Sequence, residues 1–438
     1  WRTILTGGLR SGGRGIYALD ITNPSDFSIP SKADNIVLWE FTSKDDNDLG
    51  YTFAEPIAVR TNSTTGNEQW AVIVGNGYNN TGSGNAALFI LFIEKGYDGW
   101  SVGDYIKLDT GAGANGNASL PANGLSTASV ADLDRNGTAD RVYAGDLEGN
   151  MWAFDISSTS SRSWSVTHGG SPLFTAFKRG LSDPNNTASA MVDLPQPITS
   201  APSLTIHPDI KTITNTGDAN YNKPNVLVLF GTGRYLQAQD VGGFKNTMSY
   251  YAVWDSALGN PTLPHDRGDL VPRLFEAETT ASGINGSVNR RPIDSSSTVN
   301  PSIIWGANDY GWYIDLPDEG ERVVGSSKIR RDAVFFQTQV PSSVICEAGG
   351  TSWLFALDLT SGKPLERPAF DANADGKIDS ADQGYAAIEE TDGLVFSSNM
   401  LGDSEYYMVG DKPKRRAIDL GAGEGEGRYS WFEYTNTK

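Results

Sequence analysis

Two short stretches of this chain space oxygen-bearing side chains in the way a hard cation requires. Residues 371–379 read Asp-Ala-Asn-Ala-Asp-Gly-Lys-Ile-Asp, and residues 132–140 read Asp-Leu-Asp-Arg-Asn-Gly-Thr-Ala-Asp. In each, Asp or Asn falls at positions one, three, five and nine, with Gly at position six. Alternate side chains of a tight loop point inward. Asp371, Asn373, Asp375 and Asp379 therefore converge on one point, and Asp132, Asp134, Asn136 and Asp140 on another. Position seven contributes its main-chain carbonyl, from Lys377 or Thr138, so its side chain is free to vary. All these donors are oxygen, which selects Ca²⁺; Zn²⁺ would call for His or Cys. Asp382 stands at position twelve of the second loop and adds a ligand, directly or through water. Tyr143 stands there in the first, so Asp140 must do more. Asp, Asn and Gly also build ordinary turns; the same spacing occurring twice favours the metal. The first loop leads straight into the strand-like run Arg141-Val-Tyr-Ala, which places it in a β-hairpin rather than between two helices.

The elements that carry these loops read as strands. One kind of arm ends on small residues: Thr3-Ile-Leu-Thr-Gly-Gly, Trp70-Ala-Val-Ile-Val-Gly, Arg141-Val-Tyr-Ala-Gly and Val226-Leu-Val-Leu-Phe-Gly. The other is apolar or aromatic and ends on an acid: Gly15 to Asp20, Ala87 to Glu94, Asn150 to Asp155, Tyr250 to Asp255 and Ser352 to Asp358, with Gly311 to Asp315 a shorter version. Each pair reads as two neighbouring strands. In the clearest hairpin, with its turn at Glu148–Asn150, alternation puts Met151, Ala153 and Asp155 on one face and Trp152 and Phe154 on the other. Repetition of this kind predicts an all-β chain, a β-propeller with long loop insertions, against a β-sandwich as the alternative. The irregular spacing places insertions at 109–128, 157–200 and 257–300. The six visible pairs leave the tail from Leu394 to Trp431 to complete a seventh blade. Residues 1–438 are expected to form a single propeller domain.

Composition agrees. The chain has 438 residues, 49 of them Gly, with 11 Trp and 17 Tyr spread along it, as in many short strands joined by turns. A net charge of −19 excludes nucleic acid as a partner and disfavours an anionic membrane surface. The single cysteine, Cys346, excludes an internal disulfide and a cysteine zinc cluster. The longest apolar run, Ala86 to Ile93, is too short to span a bilayer. No signal peptide is visible, and the chain opens at Trp1 inside a strand-like run, so it reads as the C-terminal part of a longer protein whose N-terminal region is absent. The three histidines, His168, His207 and His265, sit in no nucleophile or metal-ligand spacing, and no phosphate loop or nucleophile elbow is present. A non-enzymatic role is expected.

Four segments together resemble a family: Gly12-Gly-Arg-Gly-Ile-Tyr-Ala-Leu-Asp-Ile-Thr-Asn-Pro24, Asp48-Leu-Gly-Tyr-Thr-Phe-Ala-Glu-Pro56, Asp140 to Asp155, and Phe230-Gly-Thr-Gly-Arg-Tyr-Leu236. They are similar to the C-terminal domain of the type IV pilus tip-associated adhesins, the PilC/PilY family. The resemblance implies a modified seven-bladed propeller and a place at the bacterial surface, on the pilus tip or outer membrane, reached through the periplasm. It implies partners among pilus proteins (minor or major pilins and the pilus machinery) and a host-cell receptor. The roles implied are pilus extension against retraction, twitching motility and host-cell adhesion. A calcium loop near the C-terminal part of such proteins maps onto Asp371, Asn373, Asp375, the Lys377 carbonyl and Asp379. Two other readings stand beside this one: a quinone-dependent propeller dehydrogenase, and a receptor- or carbohydrate-binding adhesin without a role in pilus regulation.

Three further motifs have simpler explanations. Arg267-Gly-Asp269 is an integrin-type tripeptide, expected in an exposed loop. Asp45-Asp-Asn-Asp48 lacks the mid-loop Gly and reads as a solvated acidic turn. Lys412-Pro-Lys-Arg-Arg416 reads as a solvated basic loop.

Overall fold

A computed structural model describes the chain except residues 1, 118, 183–190, 209–223, 243–245, 257–262, 295, 307–308, 343–348 and 420–438. Cys346, Trp1 and the last part of the tail, residues 420–438 with Trp431, therefore lie outside the described residues.

Strands follow one another in successive sheets. The first holds β1 (Ile4–Gly8), β2 (Gly15–Asp20) and β3 (Val37–Thr42). The second holds β4 (Ile57–Arg60), β5 (Trp70–Gly75), β6 (Asn85–Phe92) and β7 (Tyr105–Gly113), in that order. In the third, β8 (Ser129–Ala131), β9 (Arg141–Gly145) and β10 (Asn150–Asp155) are joined by the short β11 (Ser165–Val166) and β12 (Phe174–Thr175). A two-stranded ribbon, β13 (Phe177–Ser182) and β14 (Met191–Pro195), falls in the insertion expected at 157–200. The fourth sheet orders β15 (Ser203–Ile206), β16 (Asn225–Gly231), β17 (Ser249–Ser256), then β21 (Gly311–Asp315) and β18 (Val271–Arg273). The fifth places the hairpin β19 (Thr279–Gly283) and β20 (Gly286–Pro292) beside β25 (Tyr385–Glu390), followed by β24 (Gly350–Asp358), β23 (Ala333–Pro341) and β22 (Lys328–Arg330). The sixth is β26 (Ser398–Leu401), β27 (Ser404–Val409) and β28 (Lys412–Ala417).

Each sheet lays one face on the next. Trp152 and Phe154 of β10 join Ile73 and Leu88 of the second sheet in one apolar cluster. Met151 and Ala153 of the same strand join Val228 and Tyr251 of the fourth sheet in another. Thus the alternation read along 150–155 places its two faces in two different inter-sheet cores. Equivalent clusters join the first sheet to the second and the fourth to the fifth. Strands buried on both faces are continuously apolar, as in β6, all eight of whose residues are buried. This face-to-face succession of small antiparallel sheets is a β-propeller.

The glycines ending the small-residue arms have a steric reason. A Cβ at Gly75 would lie 2.2 Å from the Ser126 carbonyl, at Gly145 2.2 Å from Ile198, and at Gly231 2.3 Å from Val323. Each contact is with chain passing from one sheet toward the next.

Two expectations need correction. Gly311–Asp315 does not begin a further pair; it lies inside the fourth sheet, antiparallel to β17 with Ser249 opposite Asp315, and parallel to β18 on its other side. The partner of the arm ending on Asp358 is Ala333–Pro341, which was missed because it ends on Val-Pro rather than Gly. The described residues form six sheets of three or more strands and the ribbon.

Candidate metal centre

The first loop connects β8 to β9, adjacent antiparallel strands with Ala131 opposite Arg141. It is the tip of a β-hairpin, as its sequence suggests. The second connects β24 to β25 in the fifth sheet. Although they sit in different sheets, the two loops fold alike. Position four is left-handed in both, with φ of 63° at Arg135 and 60° at Ala374, and the mid-loop glycines follow at 84° and 87°.

Their hydrogen bonds also correspond. Asp132 accepts from the Asn136 and Gly137 N–H groups at 3.1 and 2.8 Å; Asp371 accepts from Asp375 and Gly376 at 3.1 and 2.8 Å. The position-three oxygen of Asp134 or Asn373 accepts from the position-five N–H at 3.1 or 2.9 Å. The position-five oxygen of Asn136 or Asp375 accepts from the N–H of Thr138 or Lys377 at 2.8 or 2.9 Å. Main-chain N–H groups thus hold one side of each ring of oxygens, leaving the remaining lone pairs for a cation.

The loops diverge where the sequence said they would. In the second, Asp382 is buried and one of its oxygens accepts from the N–H groups of Ala372 and Asn373 at 2.8 and 3.0 Å. In the first, Asp140 takes that place, accepting from Leu133 and Asp134 at 2.7 and 3.4 Å. Position nine of one loop therefore does the work of position twelve of the other. Asp379 is displaced accordingly: its side chain caps the short 3-10 turn at 380–382 by accepting from Ala381 at 2.9 Å. One oxygen of its carboxylate is engaged there.

The first loop gathers its charges more closely. Asp132, Asp134 and Asp140 each place an oxygen within 4.8 Å of the others, the one such carboxylate group among the described residues. Burial pushes the Asp140 carboxyl above its usual value, the Leu133 N–H pulls it back, and the charge of Asp134 pushes it up again. A divalent cation would relieve that repulsion, and an all-oxygen donor set of this kind suits Ca²⁺. The second loop spreads its charges wider, with Asn373 in place of an acid at position three.

Residues outside the motifs brace both loops. Asn62, just beyond β4, donates to the Ala139 carbonyl and to Asp140 Oδ1, both at 2.9 Å, and accepts from Thr138 Oγ1 at 2.7 Å. At the second loop, Arg290 donates to the Ala372 carbonyl at 3.0 Å and the Asn285 N–H to the Ala374 carbonyl at 3.0 Å. Neither brace carries a local sequence signal, because each comes from a strand distant in the chain.

The other motifs differ from their sequence readings. Arg267 is not displayed: its guanidinium is 15% exposed, donates to Tyr251 and Asp315, and lies 4.4 Å from the centre of the Tyr313 ring. Asp46 and Asp48 pair with Lys107 at 2.9 and 2.7 Å and Asp48 is buried, while Asp45 and Asn47 are exposed, so only part of the acidic turn is solvated. Lys412–Ala417 is strand β28, from which Lys414 and Arg416 reach Glu390 of β25 at 2.7 and 3.2 Å.

Residues 1–280 match the PilY1 beta-propeller domain. The chain belongs to the PilY1 β-propeller family. It is 34% identical, over 83% of its length, to a type IV pilus biogenesis factor PilY1 homolog from Xylella fastidiosa, covering 22% of that protein. It is 32% identical, over 92% of its length, to the type IV pilus biogenesis factor PilY1 of Pseudomonas aeruginosa, covering 34% of that protein. The chain thus spans about a third or less of these PilY1 relatives. The crystal structure of the Pseudomonas aeruginosa PilY1 C-terminal domain superposes with a TM-score of 0.70 at 26% identity, across 96% of this chain and 81% of that one. These PilY1 relatives are named as pilus biogenesis factors, not as enzymes. Among the described residues no helix is long and apolar enough to cross a membrane.

Proposed function

We propose that this chain is a calcium-binding propeller module of a type IV pilus biogenesis and adhesion factor. It supports pilus extension against retraction, and through it twitching motility and attachment to host cells. The observation that carries the reading is the shared hydrogen-bond scheme of two loops in different sheets, which turns side-chain oxygens inward at the same positions. Ca²⁺ would be held by Asp132, Asp134, Asn136, Asp140 and the Thr138 carbonyl in one loop. In the other it would be held by Asp371, Asn373, Asp375, Asp382 and the Lys377 carbonyl, with Asp379 reaching it only by leaving its cap. The partners are the pilins and pilus machinery, met at the cell surface or pilus tip. The burial of Arg267 argues against Arg267–Asp269 as the receptor contact.

Replacing Asp375 by Ala tests this. We expect one calcium site fewer by titration calorimetry and, in cells carrying the variant in the full-length protein, reduced surface piliation. Unchanged calcium binding would remove the metal assignment, and lost binding with normal piliation would remove the regulatory role.

A further inference from the structure

The hairpin β19–β20 touches the second loop from outside. Its tip, Gly283 to Gly286, lies directly on the loop backbone: a Cβ at Gly283 would stand 2.2 Å from the Ala374 carbonyl oxygen and 2.8 Å from that of Asn373. The Asn285 N–H bonds the Ala374 carbonyl, and further down β20 Arg290 bonds the Ala372 carbonyl, each at 3.0 Å. The loop is therefore divided by parity. The side chains of positions one, three and five turn toward the proposed ion site, while the carbonyls of positions two and four are held by the hairpin. Ala372 and Ala374 themselves are buried, at 0% and 6% exposure, so the loop cannot turn over without opening the core beneath it.

The two ends of the hairpin are secured very differently. At its root, Arg291 is fully buried, paired with Glu278, Asp318 and Glu321 at 2.6–2.7 Å and stacked 3.6 Å above Trp353. Residues 282–287 at the tip are all exposed, and Ile284 is 85% exposed. The base is clamped; the tip has the metal loop as its support.

We propose that the tip of β19–β20 is a calcium-ordered clasp. Filling the second loop fixes the Ala374 carbonyl, which fixes the tip and the position in which it presents Ile284. This rests on calcium binding by that loop, as proposed above. Coupling of this kind is reciprocal: whatever displaces the tip must weaken the ion by the same factor.

The test is amide hydrogen exchange on the whole chain, with calcium and with chelator, beside calcium titration. With calcium, exchange across residues 282–287 should slow about tenfold, while the neighbourhood of Arg291 stays unchanged. Gly283→Val, which drives a side chain into the Ala374 carbonyl, and Arg290→Ala should each weaken calcium at the second loop about tenfold and leave the first loop unaffected. Calcium binding at the second loop with no change in tip exchange, or undiminished affinity in Gly283→Val, overturns the clasp alone. Absence of calcium binding by that loop overturns both the clasp and the metal assignment beneath it.

Discussion

Asn62 shows how much of a binding loop lies outside its motif. It comes from the strand system of the neighbouring sheet, yet it contacts position seven, eight and nine groups of the first loop. Its amide orients Asp140, the carboxylate on which that loop most depends. Partners that orient a ligand typically matter 10- to 100-fold in affinity. Asn62→Ala is expected to lower calcium affinity at the first loop by about tenfold and to leave the second loop unchanged, as read by a two-site calorimetric titration. The shared conformation of the two loops was legible in the sequence, from their equal spacing and their mid-loop glycines. So was the extra demand on Asp140, inferred from Tyr143 at position twelve. The diversion of Asp379 into a cap was not legible, because it depends on the 3-10 turn that follows. The braces were not legible either, because contacts over 76 to 89 residues of sequence leave no local periodicity.

At the level of elements, the hairpin β9–β10 was read correctly because its faces alternate strictly and its turn is marked by Gly149. Asp146 is what locks that turn. Fully buried, it accepts from Asn123, from the N–H groups of Glu148 and Asn150, from the Asn150 amide and from the Trp152 indole. Burial pushes its carboxyl above the usual value, and Trp152, Asn150 and Asn123 pull it only part of the way back. Asp146→Ala would strand several buried donors together, and we expect a loss of about 3 kcal/mol in denaturant unfolding. Strand order was less legible than strand existence. Gly311–Asp315 looks like the arm of a further pair by composition, but pairing across the sheet, not composition, decides that it joins β17 and β18 in the fourth sheet. Similarly, the basic run at 412–416 looks solvated by charge, and becomes a strand because Glu390 waits opposite it.

For the whole molecule, the buried polar groups between sheets set a pH response. Asp255, on β17, is fully buried and is gripped by Arg141 and Tyr143 of the third sheet at 2.9 and 2.7 Å. His168 stands 3.5 Å from its second oxygen, and His265 is buried nearby against Tyr310. Burial holds both imidazoles below their usual value of 6.5, with Asp255 and Asp269 respectively pulling the other way. Neutral imidazole is the folded form. Its contribution is present above 6.5 and is lost as pH falls through the lower folded values. We expect stability in chelator to decline between pH 7 and 5, with a slope approaching about 1.4 kcal/mol per pH unit per histidine. Replacing His168 and His265 by Gln should flatten it in urea titrations across that range.

The bare α-carbons at Gly75, Gly145 and Gly231 set something larger than a local fit. Each lies where chain heading for the following sheet crosses close against the one before, so the wedge angle between neighbours is fixed by how thin the backbone is there. A single methyl at any of them would act as a shim. Since curvature accumulates around a circle, the displacement would be felt at the far side, and small-angle scattering would register a splayed ring before any strand had melted.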